Sequence, residues 1–293
     1  MKQIFSKIIN NYRGCIVIRK DEEKVILKVP REISGRNDLF VKIYLFPNNW
    51  KRFCNFAGLK KGGFRDYRVC RKLISHGVPV PDPVGAYNDL GIGGFPRRSL
   101  FASKWIKEAI SVRDMMVRHV SGKSNAGDQI LRRKKEEILC EEKNKDSSNL
   151  LSRDGVIKLS NSLGGFIAFL HKNRIYCNDL NAGNFLVRIS DNLCFHFLLI
   201  DYEGVSFIKP ISKRRILSNL SQIAAFMSVV DDNASHNLCK GYVKKIQEQV
   251  NLKKLTCEVK EKSKKLKDNW KKNLDNKFKK ISQELLKNKN IKK

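Results

Sequence analysis

A set of polar residues at fixed spacing around two short apolar runs constrains this chain more than any other feature of its sequence. The two runs, 185–189 and 194–200, are rich in residues that favour strands. Asp179 precedes the first run and is followed five positions later by Asn184, and Asp201 comes directly after the second run. This order predicts a loop closed by two short strands that hold the three polar side chains near one another.

Residues 156–172, just before this set, carry apolar side chains at helical spacing and predict a long amphipathic helix. Phosphoryl transfer needs a carboxylate beside the acceptor hydroxyl and oxygen ligands that hold Mg²⁺ against the ATP phosphates. Asp179 is the candidate for the first role, and Asn184 and Asp201 are the candidates for the second. Each of them alone is as readily a turn or strand-end residue, so it is the combination that predicts a catalytic site.

The first part of the chain reads as a small sheet. Three runs rich in Val, Ile and Phe, at 14–19, 24–29 and 39–46, are separated by turn-like segments and predict an antiparallel meander. A helix is predicted at 64–76, where apolar residues recur near one face, and a further extended run at 99–106.

Lys42 lies in the middle of one of these apolar strands. Such a lysine either faces solvent or reaches an anion. In kinases a lysine at this place contacts the α- and β-phosphates of ATP and pairs with a carboxylate of the next helix. Asp66 is the candidate for that carboxylate, one methylene shorter than the usual glutamate.

These motifs together resemble the bacterial lipopolysaccharide kinase family, whose members phosphorylate Kdo or heptose sugars of the lipid A core. The resemblance rests on VKIY around Lys42, LISHGVPVPDPVGA, DLNAGN from Asp179 and LLIDYEG around Asp201, and it covers residues 15–226 apart from an insertion. The sequence motif at Asp179–Asn184 is especially similar to that of the Kdo kinases.

The resemblance implies an α+β, protein-kinase-like fold with two lobes, a small β-rich N-terminal lobe and a larger helical C-terminal lobe, with a hinge near 103–106. It implies ATP and Mg²⁺ as cofactors. The residues carried over by motif would have these roles: Lys42 at the ATP phosphates, Asp179 as catalytic base, and Asn184 and Asp201 as Mg²⁺ ligands. Asp66, on the next helix, is the candidate partner of Lys42 in the cofactor site.

Two departures from the family pattern stand out. The turn between the first two strands reads RKDEEK at 19–24, so it is not rich in glycine. Cys177 occupies the place of the histidine that usually lies two positions before the catalytic aspartate and braces its loop. Glu203, in the DYEG motif, receives no role from the resemblance.

The charge of the chain indicates a polyanionic partner. Its 59 Lys and Arg outnumber 29 Asp and Glu and give a formal net charge of +30. Nucleic acid, an anionic membrane and a phosphorylated glycolipid all fit such a charge, as does a proteome rich in lysine. No nucleic-acid-binding motif is visible, which leaves a lipid A-core glycolipid and an anionic membrane surface as the expected partners.

Residues 253–293 carry sixteen lysines against five acidic residues. Apolar residues recur mostly every three or four positions and predict a basic amphipathic helix. Two arrangements remain open, adhesion to an anionic membrane or docking on the chain's own domain. The apolar positions are Leu255, Val259, Leu266, Trp270, Leu274, Phe278, Ile281 and Leu285.

The expected location is cytoplasmic, peripheral at the inner face of the inner membrane. The sequence contains no apolar stretch of the roughly 20 residues that span a bilayer, and its start does not read as a secretory signal. Its scattered cysteines, without a C-x-x-C pair, fit reduced thiols.

The expected organisation is an N-terminal lobe at 1–102, a C-terminal lobe at 103–250 with a mobile insertion near 121–154, and a basic helical tail at 251–293. The expected function is an ATP-dependent kinase for a Kdo or heptose hydroxyl of the lipid A core. The alternatives are a kinase of the same fold with a small-molecule or protein acceptor, and a pseudokinase that serves as a binding module. The complete set of catalytic-site residues argues against the pseudokinase.

Overall fold

The computed structural model describes most of the chain between residue 2 and residue 268. The predicted insertion lies outside the described residues except at its edges, where Ser121 ends one helix and Arg153 begins the next. Residues 269–293 of the tail lie outside them as well. The described ranges are 2–35, 37–46, 62–91, 94–121, 152–190, 194–228, 231, 233–246, 250–266 and 268.

An antiparallel five-stranded sheet forms the first half of the described chain, in the order β1-β2-β3-β5-β4. The predicted meander is confirmed by β1 to β3, and the predicted run at 99–106 falls largely in β5. The strand β4 was not predicted, because its start is rich in Pro and Gly. The bounds are β1 Ile16–Lys20, β2 Lys24–Val29, β3 Leu39–Leu45, β4 Pro83–Leu90 and β5 Pro96–Lys104.

One face of this sheet is apolar. Successive side chains of a strand point to opposite faces, and the apolar set on β2, β3 and β5 packs against helix α1 (Lys2–Asn10). Phe5, Ile8 and Ile9 of α1 are buried there against Val41 and Leu27 of the sheet. Helix α1 was not predicted, although its apolar residues have helical spacing.

The opposite, inner face of the sheet carries several polar side chains. Cross-strand pairing sets Lys24 beside Tyr44, and Lys42, two positions before Tyr44 on β3, shares their face. A short helix, α2 (Arg31–Ser34), joins β2 to β3.

Helix α3 (Gly63–Ser75) begins against this inner face. The Gly63 amide donates to Ser99 Oγ at 2.8 Å. A Cβ at Gly63 would overlap the Leu100 carbonyl, so glycine allows α3 to start this close to β5.

The second half of the described chain is mainly helical. Helices α5 and α7 pack closely because Gly164 and Gly241 lie against backbone carbonyls of the other helix. The predicted helix at 156–172 is confirmed and begins slightly earlier. The elements are β6 Ile110–Ser111, α4 Val112–Ser121, α5 Arg153–Lys172, β7 Ile175–Cys177, β8 Phe185–Ser190, β9 Cys194–Leu199, β10 Val205–Phe207, α6 Lys213–Met227 and α7 Ala234–Ile246.

The start of the basic tail is docked on the helical part. Residues 252–266 form helix α8, and Leu255 and Val259 are buried in the same core as α5, α6 and α7. Glu258 pairs with Lys213 of α6 at 2.7 Å. For α8 the structure therefore shows the docked arrangement rather than an apolar face left for a membrane. A helix able to cross a bilayer is not found in the part of the chain that the structure describes.

Candidate functional site

Lys42 is held inside the molecule among carboxylates. Its side chain lies at mid-strand on the inner face of the sheet, and the residue is 3% exposed. Its Nζ lies 3.2 Å from Asp201 Oδ1 and 3.5 Å from Asp66 Oδ2. Burial by itself would lower the pKa of Lys42, but the carboxylates of Asp66, Asp201 and Glu203 raise it above its ordinary value. The ammonium group therefore stays charged in its buried position.

Asp66 is fully buried in the first turn of α3. Burial raises the pKa of its carboxyl, while Lys42 and the hydrogen bond from Tyr44 act in the opposite direction. Tyr44 Oη donates to Asp66 Oδ2 at 2.6 Å, whereas Asp66 Oδ1 has no hydrogen-bond partner among the described residues. Sequence reasoning missed Tyr44, although its position two residues after Lys42 puts both side chains on one face of β3.

Glu203 joins the same group. Its Oε1 accepts from Lys24 Nζ at 2.6 Å. The same oxygen lies 3.2 Å from Tyr44 Oη, whose single proton is donated to Asp66, and 3.5 Å from Lys42 Nζ. Sequence reasoning missed Lys24 and assigned nothing to Glu203. The members of this group meet at the inner face of the sheet, and we call them the sheet cluster: Lys24, Lys42, Tyr44, Asp66 and Glu203.

The loop at residues 178–181 carries Asp179, whose side chain is exposed. Helix α6 holds the loop backbone through Gln222, which accepts from the Leu180 amide at 2.9 Å and donates to the Asn178 carbonyl at 3.2 Å. The Asn178 amide in turn donates to the Gly204 carbonyl at 2.9 Å. The position of Asp179 is thus fixed against the DYEG motif.

Asn184 closes the turn after Asp179. Its Nδ2 donates to the Asp179 carbonyl at 2.6 Å, which leaves the oxygen of the same amide as the atom suited to a metal. The Ile200 amide donates to the Asn184 carbonyl at 3.0 Å, so the turn lies beside the residue that precedes Asp201. The pairing of β8 with β9 thus brings these two candidate metal ligands to one end of the small sheet.

A network of hydrogen bonds between neutral side chains supports this loop from the helical part. His171 Nε2 lies 3.1 Å from Asn219 Oδ1, and its Nδ1 lies 3.1 Å from Tyr242 Oη. Asn219 Nδ2 donates to the Cys177 carbonyl at 2.6 Å. Burial lowers the pKa of His171 to about 4, so the ring is neutral and donates through one nitrogen while accepting through the other. We call His171, Asn219 and Tyr242 the loop cluster.

Cys177 itself is a buried thiol. Burial raises its pKa to about 12, so it is protonated and packs as a small apolar side chain. In this chain Asn219 and Gln222 of α6 hold the backbone around Asp179 from the helical side.

Helix α3 also holds the DYEG motif. Arg65 donates from Nη1 to the Tyr202 carbonyl at 3.0 Å and from Nη2 to the Val205 carbonyl at 3.2 Å. The Tyr202 ring is buried and meets Phe101 of β5 edge-on, with ring centroids 5.6 Å apart. The two aspartates that contact Lys42 therefore take their positions from one packed unit of α3, β5 and the DYEG motif.

The structure brings the predicted residues together in two groups. In the first group Lys42 contacts both Asp66 and Asp201. In the second group Asp179 and Asn184 share one turn. Their roles in binding ATP, binding Mg²⁺ and catalysis stay predictions.

Comparison with known proteins bears on the fold. No family model and no curated protein matches the chain. The solved structure of WaaP in complex with acyl carrier protein does match, with a TM-score of 0.53, 14% identity, and coverage of 85% of this chain and 88% of that one. The chain shares the fold of WaaP. The predicted resemblance is therefore confirmed at the level of the fold, as a mixed architecture with a sheet region and a helical part.

Proposed function

We propose that this chain is an ATP- and Mg²⁺-dependent kinase that phosphorylates a sugar hydroxyl, on Kdo or heptose, of the lipid A core. The observation that carries the proposal is the contact of the buried Lys42 Nζ with both Asp66, at 3.5 Å, and Asp201, at 3.2 Å. A strand lysine paired with a helix carboxylate, next to a metal-binding aspartate, is the arrangement that kinases use. The lipopolysaccharide-kinase-like fold supports the proposal.

The residues present fit a magnesium nucleotide. Asp201 touches the buried lysine, yet its side chain is 35% exposed, so the carboxylate also faces the solvent side. Mg²⁺ at such sites takes one or two protein carboxylates together with phosphate oxygens, and Asp201 with the amide oxygen of Asn184 would hold it. When bound, the magnesium nucleotide supplies the phosphoryl group and neutralises the charge that develops during transfer.

Side chains of the chain itself would orient the phosphates and accept the proton of the acceptor hydroxyl. Lys42 would orient the phosphates, and Asp66 and Tyr44 would keep its ammonium group in place. Asp179 would accept the proton of the acceptor hydroxyl, and its exposure leaves it within reach of a sugar carried on a large lipid. In the two-lobed arrangement that we propose, the nucleotide lies between the sheet region and the helical part.

The charge of the chain supports an acceptor at a membrane. A formal net charge of +30 favours a substrate that carries phosphates and carboxylates. We propose that the enzyme is peripheral at the cytoplasmic face of the inner membrane. Because α8 is docked through Leu255 and Val259, the membrane contact would come from the lysine-rich segment 269–293 that follows it.

The proposal is tested by mass spectrometry of lipid products. The purified chain is incubated with ATP, Mg²⁺ and a lipid A precursor that carries Kdo, with a heptose-bearing core and a precursor without Kdo in parallel. Gain of one phosphoryl group on the sugar-bearing lipids alone supports the proposal. Transfer only to small molecules or proteins favours the alternative acceptors, and failure to bind nucleotide favours the binding module.

A further inference from the structure

Two ammonium groups converge on one carboxylate oxygen in the sheet cluster, beside the Tyr44 hydroxyl. Glu203 Oε1 lies 2.6 Å from Lys24 Nζ, 3.2 Å from Tyr44 Oη and 3.5 Å from Lys42 Nζ. The side chains of Glu203 and Lys24 are 10% and 16% exposed. Two ammonium groups around one anionic oxygen are the surroundings that proteins also provide for a phosphate oxygen.

Lys24 reaches this point because of strand register. It begins β2 and pairs across the strands with Tyr44, so its side chain lies on the same inner face as Lys42. Lys42 is the expected ligand of the ATP phosphates, and Lys24 Nζ shares a carboxylate oxygen with it. An anion bound by Lys42 is therefore within reach of Lys24.

The backbone amides at the end of the turn before Lys24 are bound by a side chain of the same turn. Asp21 Oδ1 accepts from the Glu23 amide at 3.1 Å and from the Lys24 amide at 2.9 Å. In a glycine-rich loop, backbone amides of this hairpin would face the phosphates. Here the Asp21 side chain accepts hydrogen bonds from two of these amides. The hairpin instead extends the Lys24 ammonium group into the site.

We infer that Lys24 is a second phosphate-binding lysine of the nucleotide site. The Glu203 carboxylate binds the Lys24 ammonium group until nucleotide phosphates replace this carboxylate. The inference rests on the proposed function, since it concerns the same nucleotide. It gives this chain a side-chain substitute for the glycine-rich loop that its sequence lacks. The ligand class is a nucleoside di- or triphosphate, because a second ammonium group next to Lys42 would bind phosphate oxygens rather than the nucleoside.

The test measures affinities of the full chain for ATP, ADP and AMP by calorimetry in the presence of Mg²⁺. Lys24→Ala should weaken binding of ATP and ADP by about tenfold or more, the loss of one charge-assisted contact, and leave AMP within about twofold. Glu203→Gln should strengthen ATP binding, because a competing anion is removed. Lys20→Ala is the matched control, since Lys20 is exposed on the same hairpin and should change none of the affinities.

A double variant separates an effect on nucleotide binding from an effect on folding. Lys24→Ala leaves Glu203 with fewer partners, whereas Lys24→Ala/Glu203→Gln removes both charges and is compared with Glu203→Gln, with thermal melting as a check. ATP affinity of the double variant within about twofold of Glu203→Gln would overturn the inference while the proposed function stands. Equal weakening of ATP and AMP would overturn it too. If the wild type binds none of the three nucleotides, the proposed function itself fails.

Discussion

The sheet cluster and the loop cluster both bury polar side chains, but they satisfy them in different ways. In the loop cluster each group is neutral, and His171, Asn219 and Tyr242 form hydrogen bonds that end on a backbone carbonyl. In the sheet cluster, charged groups share partners, and Asp66 Oδ1 has none among the described residues. Buried charges stabilise a fold poorly, whereas satisfied neutral networks fix one arrangement. We propose that the sheet cluster serves binding and that the loop cluster serves positioning.

Among variants of the two clusters, the largest effect is expected when a lysine and a carboxylate are removed together from the sheet cluster. Lys42→Met/Asp66→Asn should lower the rate of phosphoryl transfer by about 10²–10³, because a phosphate-binding charge is lost. Its free energy of unfolding should fall by less than about 1 kcal/mol, since paired buried charges are replaced by neutral groups. Transfer assays and denaturant titration check both values, with Lys20→Met as control. A large loss of stability with an unchanged rate of transfer would reverse the comparison.

Asn219→Ala should act on stability and activity together. It leaves the Cys177 carbonyl and one His171 nitrogen without their partner, at about 1–3 kcal/mol for each buried group. The loop that carries Asp179 loses its tether, so transfer should fall as well. Denaturant titration beside transfer assays measures this, and Ser218→Ala on the same helix is the control. Full activity at reduced stability would show that the loop cluster does not position Asp179.

The loop cluster also predicts a dependence on pH. The pKa of His171 is about 4 in the folded chain, below its value near 6.5 in the unfolded chain. The unfolded state therefore binds the proton more readily. The contribution of His171 to stability is complete above about pH 6.5 and is lost as the pH falls towards 4, by at most about 1.4 kcal/mol per pH unit. His171→Gln should flatten this slope in denaturant titrations between these pH values, and an unchanged slope would contradict the assignment.

The smallest effect is expected for Tyr44→Phe. The change removes the hydrogen bond to Asp66, 2.6 Å long, and should lower the free energy of unfolding by about 1 kcal/mol. Because Asp66 then holds Lys42 less firmly, the KM for ATP should rise more than kcat falls. Tyr87→Phe on β4 provides the control. An effect on stability without any on KM would give Tyr44 a purely structural role.

Periodicity and spacing predicted much of the fold, because strands and long helices leave regular apolar patterns. The strands around Lys42 and the helices at 64–76 and 156–172 were anticipated in this way. Helix α1 was missed although its spacing could have indicated it. The docking of α8 could not be decided from sequence, because Leu255 and Val259 suit a protein core and a membrane surface equally.

The candidate site was predicted where a motif carries it and missed where the fold assembles it. Lys42 and Asp201 were recognised from motifs and Asp66 from its place on the next helix, and the structure brings Lys42 into contact with both aspartates. Lys24 and Glu203 are far apart in sequence and meet only because β2 and the DYEG motif face one another. Such a contact between elements leaves no local pattern in the sequence.

Asp179→Asn tests the central claim most directly. The rate of phosphoryl transfer from ATP to the lipid-linked sugar should fall by about 10²–10⁴, because the group that accepts the hydroxyl proton is lost. Nucleotide affinity and melting temperature should stay near the wild-type values, since the Asp179 side chain is exposed. Transfer within about threefold of the wild-type rate would remove Asp179 from the mechanism and contradict the account.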